Sequence, residues 1–96
     1  MLEQLSAADF RSLPDNRISA NLDRGDTQLE IVEVRELTAS SRPVTPFSLT
    51  VRDPGAKHAV PQGIYAFRHP VHGIVELFIV PIGPDREGMC YEIIFN

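Results

Sequence analysis

Two of the chain's three histidines, His69 and His72, stand around a proline in the stretch RHPVHG, and with His58 and Cys90 they are the side chains best suited by type to do chemistry. Imidazole nitrogens and cysteine sulfur are the usual zinc ligands, and carboxylates can join them. Glu76 is the nearest acidic candidate. A cysteine beside a histidine or arginine could instead serve as a thiolate nucleophile.

The spacing favours neither chemistry. Recognisable zinc patterns carry tight pairs such as C-x-x-C or H-E-x-x-H, and the chain has none. Pro70 and Gly73 instead suit a tight connection between strands, because proline presets one backbone angle and glycine allows a positive one. The stretch reads as a turn, with His69 holding it by a side-chain to backbone hydrogen bond and His72 exposed and dispensable. Cys90 alternates with Tyr91 on a strand, where a lone cysteine is a small buried hydrophobe. The carboxylate pairs Glu30 with Glu33 and Glu76 with Glu92 read as solvent-facing strand charges. Nucleophile elbows and glycine-rich phosphate cradles are absent. No catalytic, cofactor or metal residues are expected, and His69, Pro70, Gly73 and Glu76 stand as candidates for a structural or functional role.

The elements that would position these residues are mostly strands. LSAADFRSL reads as a short helix over about 6–13, with Ser6 as N-cap and Asp9 three residues later where a carboxylate can answer exposed amides. Pro14 stops it, and Leu2, Leu5, Phe10 and Leu13 give it an apolar side that can plug a sheet. From Arg17 onward Gly, Pro, Asp and Asn punctuate β-rich segments at intervals of roughly ten residues. Six strands result: RISANLD, TQLEIVEVREL, PFSLTVRD, PQGIYAFRHP, GIVELFIV and MCYEIIFN. The second shifts phase between Ile31 and Val32, as a β-bulge would. Two prolines and two glycines in PIGPDREG predict a loop outside any central ladder. GIVELFIV is apolar on both faces except at Glu76, which predicts a central strand covered on both sides by barrel closure, a second sheet or a dimer partner. The strand aromatics Phe47, Tyr65, Phe67, Phe78, Tyr91 and Phe95 read as core. The expected fold is a mainly β domain over 1–96: a small, mostly antiparallel six-stranded barrel or sandwich with one short N-terminal helix.

Composition limits the function classes. The chain has 96 residues, 43% hydrophobic and 23% charged, with a formal net charge of −4. At that length folding buries roughly two-thirds of the unfolded surface without disulfide or metal. Eight of the nine basic residues are arginines spread singly from Arg11 to Arg86, which excludes the basic stripe that phosphate-backbone binding needs and suits cross-strand pairing with Glu or Asp. A single cysteine, an N-terminus unlike a signal peptide and apolar runs too short to span a bilayer give the expectation of a cytoplasmic protein with no nucleic-acid or membrane partner.

LEQLSAADF, PFSLTVRDP, PQGIYAFRHPVHGIVELFIVPIGPD and GMCYEIIFN together resemble, over nearly the whole chain, a bacterial family known only as a domain of unknown function. Its most specific parts are LPQGxYxxxHPxxGxxxLFxVPxGP and YExxFN; Val60 stands where Leu is usual, and Ile79 lies within a tolerated apolar position. His69 recurs there with Pro70, whereas His72 sits at a variable position. The resemblance implies gene neighbours of the phage-tail-collar or microcystin-dependent type, and so an accessory role in a phage-tail-like or fibre assembly. It supplies no catalytic residues.

The functional reading is a non-enzymatic interaction or assembly protein whose edge strand or loops (TASSRPVTP, DPGAKHAVPQG, GPDREG) engage a protein partner, including a second copy of itself. The alternative is a small metal-dependent or thiol enzyme using His69, His58 and Cys90, with Glu76 in support. A third is an apolar ligand inside the barrel, for which six strands leave little room.

Overall fold

The structure, a computed structural model, describes residues 5–23, 25–37 and 46–95. Its elements are helix α1 (Ala7–Arg11), a 3-10 turn (Pro14–Asn16), and strands β1 (Arg17–Leu22), β2 (Gly25–Glu36), β3 (Phe47–Pro54), β4 (Gly63–His69), β5 (Gly73–Pro84) and β6 (Gly88–Phe95). The strands close into a barrel in the order β1-β2-β3-β6-β5-β4, with β4 pairing back onto β1 through Ser19 opposite Arg68 and Ala20 opposite Phe67. Every pairing is antiparallel. The expected barrel is therefore the fold. The sandwich alternative falls, and each described strand has a neighbour on both sides, although β5 pairs with β6 only from Val80 to Pro84.

Period-two alternation decides which side chains enter. Ile18, Ala20 and Leu22 of β1, Phe67 of β4 and Val75, Leu77 and Ile79 of β5 are buried inside. A barrel this small is filled by its own side chains. The phase shift in β2 is a register shift between Ile31 and Glu33, which leaves Val32 exposed. Asn16, held at φ 58, donates its amide to the Ile31 carbonyl at 2.9 Å, so the interrupted ladder gains an acceptor's partner there. Short polar side chains tolerate this left-handed conformation best.

Each end of the barrel is stopped. At one, Phe10 of α1 is fully buried against Phe47 and Phe95, whose rings stack at 4.2 Å. The helix is shorter than the eight residues expected, and five residues cannot hold a helix in water alone. Burial of Phe10 and Ala7 holds it. The Asp9 carboxylate accepts from the Ser6 amide at 2.8 Å, as the expected cap requires. Across the other end runs the 55–62 connection, where the buried Val60 donates its amide to the Tyr91 hydroxyl at 3.0 Å and Tyr65 donates to the Pro61 carbonyl at 2.6 Å.

Two expectations are corrected. β5 runs on through Pro81, Ile82, Gly83 and Pro84 instead of ending before them, because a register shift between Pro81 and Gly83 lets prolines lie in the strand, with Gly83 at φ 106. The other concerns coverage. Barrel closure buries only the inner face of β5, so Ile74, Phe78 and Ile82 on this strand are exposed to solvent, and Phe78 is not core. The loop expected over 38–45, Leu2 of the helix side and residues 24 and 96 lie outside the described residues.

Candidate functional site

His69 ends β4 opposite Gly73, and Pro70, Val71 and His72 form the three-residue connection to β5. Gly73 takes φ 76, the left-handed position that closes three-residue hairpins. His69 is 5% exposed, and both its ring nitrogens are engaged. Nδ1 accepts from the amides of Val71 at 3.1 Å and His72 at 3.3 Å, while Nε2 lies 2.7 Å from the Asp9 carbonyl oxygen. Two amide donors on Nδ1 assign the ring proton to Nε2, which donates to Asp9. The ring also stands edge-on to Phe10 at 5.4 Å. One imidazole thus organises the turn and ties it to the helix that stops the barrel.

His72 is not idle. Its Nε2 lies 3.2 Å from Asp9 Oδ1, so the exposed histidine expected to be dispensable faces a carboxylate on α1. Burial pushes the Asp9 carboxyl up, but the Ser6 amide and the His72 ring outweigh it and hold the carboxyl below its ordinary value.

The structure brings His69, Pro70 and Gly73 together and leaves Glu76 apart. Glu76 points outward from β5, opposite Ala66, whereas His69 shares the inner side of β4 with Phe67. His58 is exposed in the β3–β4 connection. Cys90 is buried on β6 between Arg52 and Gly83; burial pushes its thiol up, and Asp85 adds to this. That is the reverse of a nucleophile's setting. Among the described residues, no three His, Cys, Asp or Glu side chains converge as metal ligands, and no buried side-chain nitrogen or oxygen lacks a partner.

A second polar centre was not legible residue by residue. Arg52 reaches Glu30 at 3.0 Å, Asp85 at 2.7 Å and Glu87 at 3.1 Å. Glu30 is its cross-strand partner, the pairing expected of strand arginines. Asp85 and Glu87 come from the β5–β6 turn, where Asp85 Oδ1 also accepts the amides of Glu87 and Gly88. The Glu87 amide and the Arg52 guanidinium hold the Asp85 carboxyl below its ordinary value despite desolvation. These bonds pin the turn and cover Cys90.

What remains free is apolar. The outward side of β4 and β5 is a lattice of three cross-strand pairs: Ile64 with Phe78, Ala66 with Glu76, and Arg68 with Ile74. Ile64 is 66% exposed, Ile74 61% and Phe78 50%. On β6, Glu92 lies opposite Val80, and Ile94, two residues on along the same side, is 48% exposed. Arg68 leans to Asp26 at 3.6 Å in an open ion pair. Single exposed apolar residues are ordinary, but Ile64 and Phe78 are direct cross-strand neighbours, and Ile74 lies on the same side two rows along, beyond Ala66 and Glu76.

Fold and site together define a small closed antiparallel β-barrel with a histidine-pinned hairpin and an uncovered apolar face. The chain belongs to the family described as domain of unknown function DUF6916, which it matches over residues 5–95. No curated protein and no solved structure matches it. No helix among the described residues is long and apolar enough to cross a membrane.

Proposed function

We propose that this chain is a non-enzymatic protein–protein interaction or assembly protein, and that it docks through the outward face of the β4–β5 hairpin. The observation that carries this reading is the exposure of Ile64, Ile74, Phe78 and Ile94 on a barrel whose six strands close on one another. Leaving such side chains in water forgoes about 1.5–3 kcal/mol for each that a partner would bury completely. A phage-tail-like or fibre structure is the proposed setting, in line with the family resemblance. Two of the expected loops contribute less, since the 55–62 connection and the β5–β6 turn are tied down by Tyr91, Tyr65 and Arg52.

The thiol or metal alternative finds no support in the geometry. His69 has no nitrogen to spare, and Cys90 is covered with its thiol pushed up. Affinity capture from the native host tests the proposal, with wild-type protein and Phe78→Asp as baits. A tail or fibre subunit held by the wild type and lost by the variant is the expected result. Equal recovery by both baits would overturn the assignment of the face, and recovery of nothing by a chain that stays monomeric would overturn the function.

A further inference from the structure

We infer that the outward β4–β5 face pairs with the same face of a second copy of this chain; the inference rests on the interaction reading above and names its partner. In an isologous dimer each residue meets its counterpart's contact twice, so a face can pair with itself only if the symmetry operation lays unlike charges together and apolar on apolar. The lattice of this face meets that condition in its Ile64–Phe78 row and, along the diagonal, for its two charges. A twofold axis lying between the two faces, parallel to β4 and β5 and midway between them, carries β4 of one copy onto β5 of the other and keeps each row in place. Ile64 then lies on Phe78 and Phe78 on Ile64. Glu76 lies on Ala66, the smallest side chain of the lattice, with Arg68 two residues along the same strand. In the third row Arg68 lies on Ile74, which its methylenes cover, and its guanidinium, 3.6 Å from Asp26 in an open pair, reaches Glu76 of the other copy on the diagonal, twice.

The charge of the rest of the molecule supports a like partner. The chain carries −4 overall, and Glu30, Asp85 and Glu87 are gathered around Arg52 on β2, β3 and the β5–β6 turn. The hairpin face carries one charge of each sign, so two copies approach here without facing their acidic surfaces. A contact confined to three cross-strand pairs of each copy belongs to the small class, below about 1,200 Å², that gives weak, reversible association.

Sedimentation velocity over a micromolar-to-millimolar concentration series tests the pairing. Wild type is expected to pass from monomer to dimer. Phe78→Asp, an outward substitution that leaves the core intact, is expected to weaken dimerisation roughly tenfold or more with an unchanged thermal melt. Arg68→Glu and Glu76→Arg each weaken it, and the double variant recovers part of the loss. A wild-type monomer throughout the series, or a dimer indifferent to Phe78→Asp, overturns the inference. A monomer that still captures a tail or fibre subunit from the native host, and loses it on Phe78→Asp, overturns the pairing while leaving the interaction function standing; a monomer that captures nothing overturns both.

Discussion

His69 and Asp9, sixty residues apart in the chain, are joined by a 2.7 Å hydrogen bond from imidazole Nε2 to a backbone carbonyl. The same ring accepts two amides of its own turn through Nδ1. The bond couples the β4–β5 hairpin to the helix that closes one end of the barrel, so the turn that presents the apolar face is held from inside.

Replacing His69 with Ala leaves two turn amides and the Asp9 carbonyl without partners and opens space beside Phe10. Stability should fall by about 2–4 kcal/mol, less than three fully buried unsatisfied groups at about 1–3 kcal/mol each would cost, because the three bonds are part-buried and water replaces some of them. Urea unfolding measures it; a loss below the range of surface substitutions would show that the bond is dispensable.

Acid should loosen the same junction. The Asp9 and Asp85 carboxyls are held below their ordinary value of 3.8 in the folded chain. As pH falls below about 5 the unfolded chain takes up protons first, so stability that is fully present at neutral pH is lost progressively as pH passes through the folded values. Urea midpoints between pH 7 and pH 3 should drop for wild type and drop less for Asp9→Asn. Identical pH profiles for the two proteins would contradict the role given to Asp9.

Gly88 faces Pro54 across the β3–β6 ladder, and a Cβ there would overlap the Asp53 carbonyl oxygen. Gly88→Ala should therefore part the strands and cost about 1–3 kcal/mol. Gly55→Ala meets open space, although its φ of 78 carries backbone strain, and should cost less in the same denaturation series.

Arg52 shields Cys90. Arg52→Ala should lower the thermal midpoint, more at low salt than at high, and should speed modification of Cys90 by an aromatic disulfide reagent. Equal labelling rates in wild type and variant would show that Arg52 does not cover the thiol.

Much of the barrel was legible because alternation is a local signal. The inward sets Ile18, Ala20, Leu22 and Val75, Leu77, Ile79 follow from period two, the β2 bulge from a break in that period, and the hairpin from Pro70 and Gly73. Closure of β4 onto β1 was not, since periodicity reports which side of a strand is buried and not which distant strand lies beside it. Prolines at 81 and 84 read as chain breakers because the bulge that accommodates them has no signature apart from Gly83. The partners of His69 and Arg52 were hidden for the same reason: Asp9 and Glu87 lie 60 and 35 residues away in the chain. The apolar outward side of β5 was visible in GIVELFIV, with closure, a second sheet or a dimer partner as its cover, and closure covers only the other side.

The account turns on whether the outward hairpin face is covered in the cell, and a photo-crosslinking amino acid placed at position 78 and, separately, at the exposed position 28 of β2 measures that most directly. In the native host, position 78 should give a discrete adduct, either of twice the chain's mass or with a tail or fibre subunit, and position 28 should give none. No adduct from position 78, or the same adducts from both positions, would contradict it.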